Sequence, residues 1–304
     1  MSTQGDVLDP AVLDRVAGLE LAARKVVEGF VTGRHDSPFK GSSVEFRQHR
    51  EYAAGDDLRR LDWKVFAKKD RFYVREYEEE TNVKAYLVVD TSRSMAYAPG
   101  DGSRPSKLRY AKLVAASLAK LVSDARDLVA LALWAHKDTK FIPPKNGEGH
   151  VHEIATALAD AQPADAASGT DLGALFEELA AKVRHRSLVV ILSDLFDDRT
   201  KVLEGLARVA QRGHDAIVMH VLDPDELNFP FDRMTRFEAL EAGPLPVTVD
   251  ARALREAYLA EMSAFTNDIR ARCLAAGVDH LLLDTGQDPG TALASYLARR
   301  LTTR

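Results

Sequence analysis

The chain has 304 residues, of which 46% are hydrophobic and 29% are charged, and this ordinary globular composition excludes an intrinsically disordered protein. A net charge of −5 and an isoelectric point near 6.0 exclude a protein whose overall charge steers it to nucleic acid or to an anionic membrane. The single cysteine, Cys273, excludes an internal disulfide and fits a reducing compartment. Because the N-terminus carries no secretion signal and no apolar run approaches the ~18 residues of a membrane helix, we expect a cytoplasmic protein without a membrane span.

The first 81 residues predict two small pieces ahead of the main domain. An Asp-Pro helix start near the N-terminus is followed by apolar residues at helical spacing, which predicts an amphipathic helix within residues 1–36. Residues 37–81 mix charged and aromatic side chains with strand-like runs at 43–47 and 70–76. They predict a small β-rich unit.

Residues 82–304 alternate buried strands with amphipathic helices, which predicts one α/β domain built on a doubly wound, mostly parallel sheet. The expected strands are 83–90, 128–134, 187–193, 216–222 and 279–283, and the expected helices are 105–124, 148–161, 171–183, 200–211, 251–276 and 290–301. A further strand at 138–142 follows its predecessor after only a few residues. That connection is too short for a parallel crossover and therefore predicts an antiparallel edge strand. Two short strand-like runs, at 236–241 and 245–249, interrupt the alternation.

Oxygen-bearing side chains collect where these strands end. Asp90 closes the first strand, Ser92 and Ser94 follow at alternate positions, Asp194 closes another strand, and Thr170 precedes a helix. The carboxyl ends of the strands are where ligands bind in open α/β sheets. Hydroxyls and carboxylates together suit a hard divalent cation, so these five residues predict a Mg²⁺ site.

The same residues resemble a known family of domains. Asp90-x-Ser92-x-Ser94, followed in order by Thr170 and Asp194, resembles the metal-ion-dependent adhesion site of von Willebrand factor A (vWA) domains. Segments of the β-rich unit resemble the signature of a bacterial branch known as domain of unknown function 58: Glu45-Phe46-Arg47, Arg50-Glu51-Tyr52, Gly55-Asp56-Asp57-Leu58-Arg59 and Asp62-Trp63. The resemblance extends over Ser37–Arg304.

The resemblance implies a vWA-like fold and a binding protein rather than an enzyme. The hydroxyls of Ser92, Ser94 and Thr170 would approach the metal, and Asp90 and Asp194 would act directly or through water. The metal would be Mg²⁺, with Mn²⁺ as the alternative. It would attract an acidic side chain of a protein partner, and members of this branch resemble partners of MoxR-type AAA+ ATPases. The expected function is thus a metal-dependent protein–protein interaction module that serves such an ATPase as adaptor or co-chaperone.

Three alternatives stay open at the level of sequence. The serines after Asp90 are also suited to capping the turn that follows the strand. Residues 47–75 interleave basic and aromatic side chains, a pattern that binds single-stranded nucleic acid in other proteins, although interspersed acids favour structural ion pairs. Asp90-Thr91-Ser92 weakly resembles the start of Mg²⁺-dependent phosphatases, which carry a second aspartate where this chain has Ser92.

Overall fold

The structure is a computed structural model that describes residues 44–52, 65–66, 71–79, 83–134, 139–164, 183, 187–197, 199–240 and 246–302. The chain divides into two compact units, Arg34–Asn82 and a larger unit that contains Val83–Arg304. The helix predicted within residues 1–36 lies outside the described residues. So does the helix predicted at 171–183, except for Val183.

The smaller unit contains an antiparallel pair, β1 (Val44–Glu51) and β2 (Tyr73–Glu79). Both strands predicted there are present, with bounds shifted towards the C-terminus. The rings of Phe66 and Phe72 stack with their centroids 4.5 Å apart. Two aromatic side chains of the basic and aromatic segment therefore pack against each other.

The larger unit is built on a six-stranded sheet. Its strands are β3 (Lys84–Asp90), β4 (Leu128–Trp134), β5 (Lys140–Lys145), β6 (Leu188–Ser193), β7 (Asp215–Leu222) and β10 (Asp279–Asp284). Their order across the sheet is β10-β7-β6-β3-β4-β5, and every neighbouring pair is parallel except β4 and β5, which are antiparallel. The chain starts in the middle at β3, moves outwards to β5, then returns and moves outwards in the other direction. This is the doubly wound sheet with one antiparallel edge strand that the sequence predicted.

Helices cover both faces of this sheet, and each face has its own apolar core. Alternate residues of β3 point to opposite cores: Leu87 packs with one and Val88 with the other. Because both faces of the central strands are buried, β3, β4 and β6 contain continuous apolar runs. The helices are α1 (Lys107–Asp124), α2 (Glu148–Asp160), α3 (Arg199–Gln211), α5 (Ala251–Ala275) and α6 (Pro289–Thr302). The first core holds residues of α1, α2 and α6, and the second holds residues of α3 and α5.

A short helix and a pair of short strands lie between β7 and α5. The sequence pattern predicted no helix here, yet the short helix α4 (Pro224–Asn228) follows β7 after a single residue. It begins with a capping box, in which Asp223 accepts a backbone hydrogen bond and Glu226 reaches back to the backbone N–H of Asp223. Beyond it, β8 (Met234–Phe237) and β9 (Val247–Asp250) form an antiparallel pair. The first of the two predicted runs thus begins two residues earlier than expected and ends at Phe237.

Candidate metal site

The predicted site lies at the carboxyl edge of the parallel sheet. Asp90 is the last residue of β3, and Asp194 directly follows β6. These strands are neighbours, with Val89 opposite Leu192, so parallel pairing brings the two carboxylates to the same edge. Asp90 is 2% exposed and Asp194 is 1% exposed. The site is therefore built into the protein interior rather than on an open surface.

The two serines lie in a tight loop over this edge. The backbone N–H of Ser92 donates to Asp90 Oδ1 at 2.8 Å, which folds the chain back over the strand end. The Oγ atoms of Ser92 and Ser94 are 3.0 Å apart. Ser92 occupies the N-cap position of the short 3₁₀ turn Arg93–Ala96, but its side chain makes no capping hydrogen bond. The missing hydrogen bond argues against the alternative that the Ser92 side chain caps this turn.

The loop is anchored to the adjacent strand through Thr91. Its backbone N–H and its Oγ1 both donate to the carbonyl oxygen of Trp134, at 2.8 and 2.7 Å. Trp134 ends β4, so the loop is fixed to the strand on the other side of β3. Such double anchoring limits the movement of the serine hydroxyls that follow.

Asp90 is held on both carboxylate oxygens. Besides the bond from Ser92 to Oδ1, Ser193 Oγ donates to Asp90 Oδ2 at 2.6 Å. Burial, and after it the negative charge of Asp194, raises the pKa of Asp90 to about 7, although hydrogen bonds from Ser193 and Ser92 act in the opposite direction. Two buried carboxylates at one sheet edge form a site where a bound cation is electrostatically favoured.

A lysine that the sequence analysis did not single out lies beside Asp194. Lys107, in the first turn of α1, donates through Nζ to Asp194 Oδ2 at 2.7 Å and to Glu226 Oε1 at 2.6 Å. Its side chain is 1% exposed, and Nζ lies 4.7 Å from the centre of the Phe196 ring. Burial by itself lowers the pKa of an ammonium group, but the charges of Asp194 and Glu226 outweigh this and hold the pKa of Lys107 above its usual value.

A histidine supports the backbone of the same strand end. His220 Nε2 lies 3.0 Å from the carbonyl oxygen of Asp194. Burial, and then the neighbouring His280, lowers the pKa of His220 to about 3, so the ring is neutral at pH 7. Because a carbonyl oxygen only accepts, Nε2 carries the proton and Nδ1 faces His280 Nε2 at 3.3 Å. His220 therefore positions the residue that carries the carboxylate.

The described residues fit a small hard cation. Two neighbouring hydroxyls and two carboxylates are oxygen ligands of the kind that Mg²⁺ binds together with water. Counting Asp90, Asp194 and Glu226 against Lys107 gives three carboxylates and one ammonium, which leaves an excess of negative charge. Within the described ranges, no group of three or more Asp, Glu, His or Cys residues has the arrangement of a metal site, so binding here would depend on the hydroxyls. Thr170, the fifth predicted ligand, lies outside the described residues.

The sequence contained signals for two of the site residues that were missed, Lys107 and Glu226. A lysine in the first turn of a helix opposes the helix dipole, so Lys107 needs a compensating acid nearby. The segment Asp223-Pro224-Asp225-Glu226 has the pattern of a capping box with proline at the first helical position, which places Glu226 at a helix start. Neither signal tells which strand end these residues approach.

The comparison with protein families identifies the group to which this chain belongs. The family model described as "Protein of unknown function DUF58" matches residues 48–267. The chain therefore belongs to the DUF58 family, as the motifs of the β-rich unit predicted. The uncharacterized protein Rv1480 of Mycobacterium tuberculosis is 26% identical over 297 residues, which cover 98% of this chain and 92% of that protein. The uncharacterized protein Mb1516 of Mycobacterium bovis matches to the same extent.

Solved structures with similar folds include two from Bacteroides. BatB from Bacteroides thetaiotaomicron is 14% identical, with a TM-score of 0.46 over 72% of this chain and 99% of that chain. An aerotolerance-related membrane protein from Bacteroides fragilis is 17% identical, with a TM-score of 0.46 over 73% of this chain and 100% of that chain. The SpRpn10 VWA domain is 11% identical, with a TM-score of 0.41 over 71% of this chain and 95% of that chain.

The sheet order and the family together define the class of protein. The doubly wound sheet with one antiparallel edge strand is the vWA-like architecture that the sequence predicted. By fold and by family, the chain is therefore a vWA-like DUF58 protein. Among the helices that the structure describes, none combines the length and the apolar character needed to cross a bilayer.

Proposed function

We propose that this protein is a metal-dependent protein–protein interaction module. In this proposal Mg²⁺, or alternatively Mn²⁺, is held by Asp90, Ser92, Ser94 and Asp194 together with Thr170. The observation that carries it is the pair of serine Oγ atoms, 3.0 Å apart, beside two carboxylates that are almost fully buried. Ligands that are largely neutral hydroxyls leave the cation much of its charge, and an open coordination position then binds a carboxylate of the partner.

The partner in this proposal is a MoxR-type AAA+ ATPase, which this protein serves as adaptor or co-chaperone in the cytoplasm. What supports this assignment is the resemblance of members of this branch to partners of such ATPases. The recognition element is an acidic side chain on the ATPase, and metal and partner raise each other's affinity by the same factor.

A binding role agrees better with the geometry than a hydrolase does. Asp90 is 2% exposed. A nucleophilic aspartate must be reached by its substrate, whereas a metal ligand needs to face only the ion. We therefore expect no turnover of a generic aryl phosphate in the presence of Mg²⁺, and turnover that disappears in Asp90→Asn would favour the hydrolase instead.

The first experiment is thermal unfolding of the metal-stripped protein with and without Mg²⁺. A ligand that binds only the folded state stabilises it by about 2.7 kcal/mol at a hundred times its dissociation constant. For a domain of this size that is an increase in Tm of about 5–11 °C. The increase should vanish in a Ser92→Ala/Ser94→Ala variant and persist in Ser103→Ala, an exposed serine in the loop before α1.

A second experiment tests the partner. Binding of the organism's own MoxR-type ATPase is measured by calorimetry in Mg²⁺ and in chelator, with the wild type and the double serine variant. Binding that requires both Mg²⁺ and the two serines supports the proposal. Equal affinity with and without Mg²⁺ contradicts a metal-bridged contact, even if the ATPase is a partner.

A further inference from the structure

A cavity of about 620 Å³ opens between α4, the β8–β9 pair and the first turns of α5. Cavities that bind ligands are typically about 300–1,000 Å³ and mostly apolar. Five aromatic rings line this one: Tyr97, Phe229, Phe231, Phe237 and Tyr258. We call it the aromatic pocket.

The rings of the aromatic pocket hold each other in place. Phe229 is 4% exposed, and its ring centre lies 4.5 Å from that of Tyr258 and 5.1 Å from that of Phe231. Phe231 in turn meets Phe237 edge to face at 5.5 Å. The Arg255 guanidinium donates a hydrogen bond to the carbonyl oxygen of Phe229. This bond fixes the backbone of the residue whose ring lies at the centre of the group. These contacts keep the rings that line the pocket in a defined arrangement.

The charged residues that line the aromatic pocket are all acidic. Of its lining residues within the described ranges, three are carboxylates and none is basic. Asp225 and Glu226 already accept hydrogen bonds from Arg104 and Lys107. Glu261, the third acid, is exposed on α5. A positive charge beside the mouth is attracted both to Glu261 and to the electron-rich faces of the rings.

Exposed aliphatic side chains extend the apolar surface beyond the pocket. Val247 is 51% exposed and Leu254 is 42% exposed, and both line the mouth. A small molecule buried in the cavity leaves these side chains in water. A peptide that crosses the mouth covers them, and apolar patches with a polar rim are typical of protein–protein contacts.

We propose that the aromatic pocket binds a peptide segment of a partner protein, which inserts a bulky apolar side chain and places a neighbouring Lys or Arg beside Glu261. This site goes beyond the proposed metal contact and does not need the metal. The two are nevertheless adjacent, because Glu226 lines the pocket and Lys107 bridges it to Asp194. A partner can therefore engage both at once.

The test uses random peptides displayed on phage, selected against the full chain in chelator so that the metal site plays no part. The expected consensus is an aromatic or large aliphatic residue next to a Lys or Arg. Affinities of the selected peptides are then measured by fluorescence anisotropy for the wild type and three variants. Ala257→Trp fills the pocket from an exposed position of α5, Glu261→Lys reverses the charge at the mouth, and Ala271→Trp is the matched control elsewhere on α5.

We expect Ala257→Trp to weaken binding at least tenfold and Ala271→Trp to leave it unchanged. Glu261→Lys should weaken binding about threefold to tenfold, as reversal of one exposed charge does. A peptide whose basic residue is replaced by an acidic one should lose affinity for the wild type and regain it with Glu261→Lys. Circular dichroism checks that all variants are folded.

Three results would overturn the proposal. One is a selection that enriches no peptide although a neutral apolar fluorophore binds the pocket. The pocket would then bind a small ligand or a segment of this chain rather than a peptide of a partner. Another is equal affinity for the wild type and Ala257→Trp, which places the peptide elsewhere. The third is a consensus without basic residues, which removes the role assigned to Glu261.

Discussion

Replacement of Lys107 by methionine is a direct test of the charge arrangement at the sheet edge. Methionine keeps the length of the buried stem and removes the ammonium group, so the loss is mainly electrostatic. Asp194 and Glu226 then lose hydrogen bonds of 2.7 and 2.6 Å while their side chains stay 1% and 13% exposed. Removing one partner of a buried ion pair costs about 3–5 kcal/mol, because the charge left behind is uncompensated.

The measurement is chemical denaturation at pH 7 in chelator, with thermal unfolding beside it. For a domain of about 200 residues, a change of 1 kcal/mol moves Tm by about 2–4 °C, so Lys107→Met should lower Tm by about 6–20 °C. The matched control is Lys120→Met on the same helix. Lys120 is 35% exposed and pairs with Asp124 at i, i+4, so its loss should change stability by no more than about 0.5 kcal/mol.

One further variant and one measurement with Mg²⁺ separate charge from packing. Glu226→Gln combined with Lys107→Met removes one of the two carboxylates that lose their ion-pair partner. The double variant should therefore be more stable than Lys107→Met alone. Mg²⁺ should stabilise Lys107→Met more than the wild type. In the variant the cation compensates the negative charge of the carboxylates, which the ammonium group of Lys107 compensates in the wild type. If Lys107→Met lost less than about 1 kcal/mol, the buried ion pair described above would not exist in solution and the reasoning would fail.

Three other predictions concern the wider fold. Burial opposes ionisation of Asp223, but hydrogen bonds, above all from Arg104, hold its pKa below the usual value. The stabilisation of the folded state by the Asp223 carboxylate is therefore complete above about pH 4 and is lost as the pH falls through the lowered native pKa. Asp223→Asn should then lower the free energy of unfolding by about 1.5–3 kcal/mol at pH 7 and by progressively less in acid. Chemical denaturation at a series of pH values measures this. Burial raises the pKa of Cys273 to about 11, so a thiol reagent at pH 8 should modify it only after unfolding, followed by absorbance. Leu87→Ala in the middle of β3 should lower the unfolding free energy by about 2–5 kcal/mol, and Leu274→Ala, 79% exposed, should leave it nearly unchanged.

Each of these predictions has a clear contrary result. A constant effect of Asp223→Asn from pH 7 down to pH 2 would mean that its carboxylate contributes no pH-linked stability. Rapid labelling of Cys273 in the folded protein would show that α5 opens on the time scale of the reagent. A small effect of Leu87→Ala would contradict the packing of β3 between two cores.

The sequence alone was sufficient for the fold class and for the position of most elements. Runs such as 128–134 and 188–192 are apolar throughout because both faces of a central parallel strand are buried, and this is a local signal. The short connection after β4 was likewise enough to predict the antiparallel edge strand. Strand-end polar residues, Asp90 and Asp194 among them, could be assigned to one edge because parallel strands share their carboxyl ends.

Tertiary structure decided the electrostatics of the site and the existence of the aromatic pocket. Lys107 meets partners 87 and 119 residues away in the chain, and no local periodicity records such a contact. The pocket likewise joins Tyr97 to residues as distant as Glu261. Periodicity reports which face of an element is buried, but the identity of the neighbour across that face depends on how all the elements pack together.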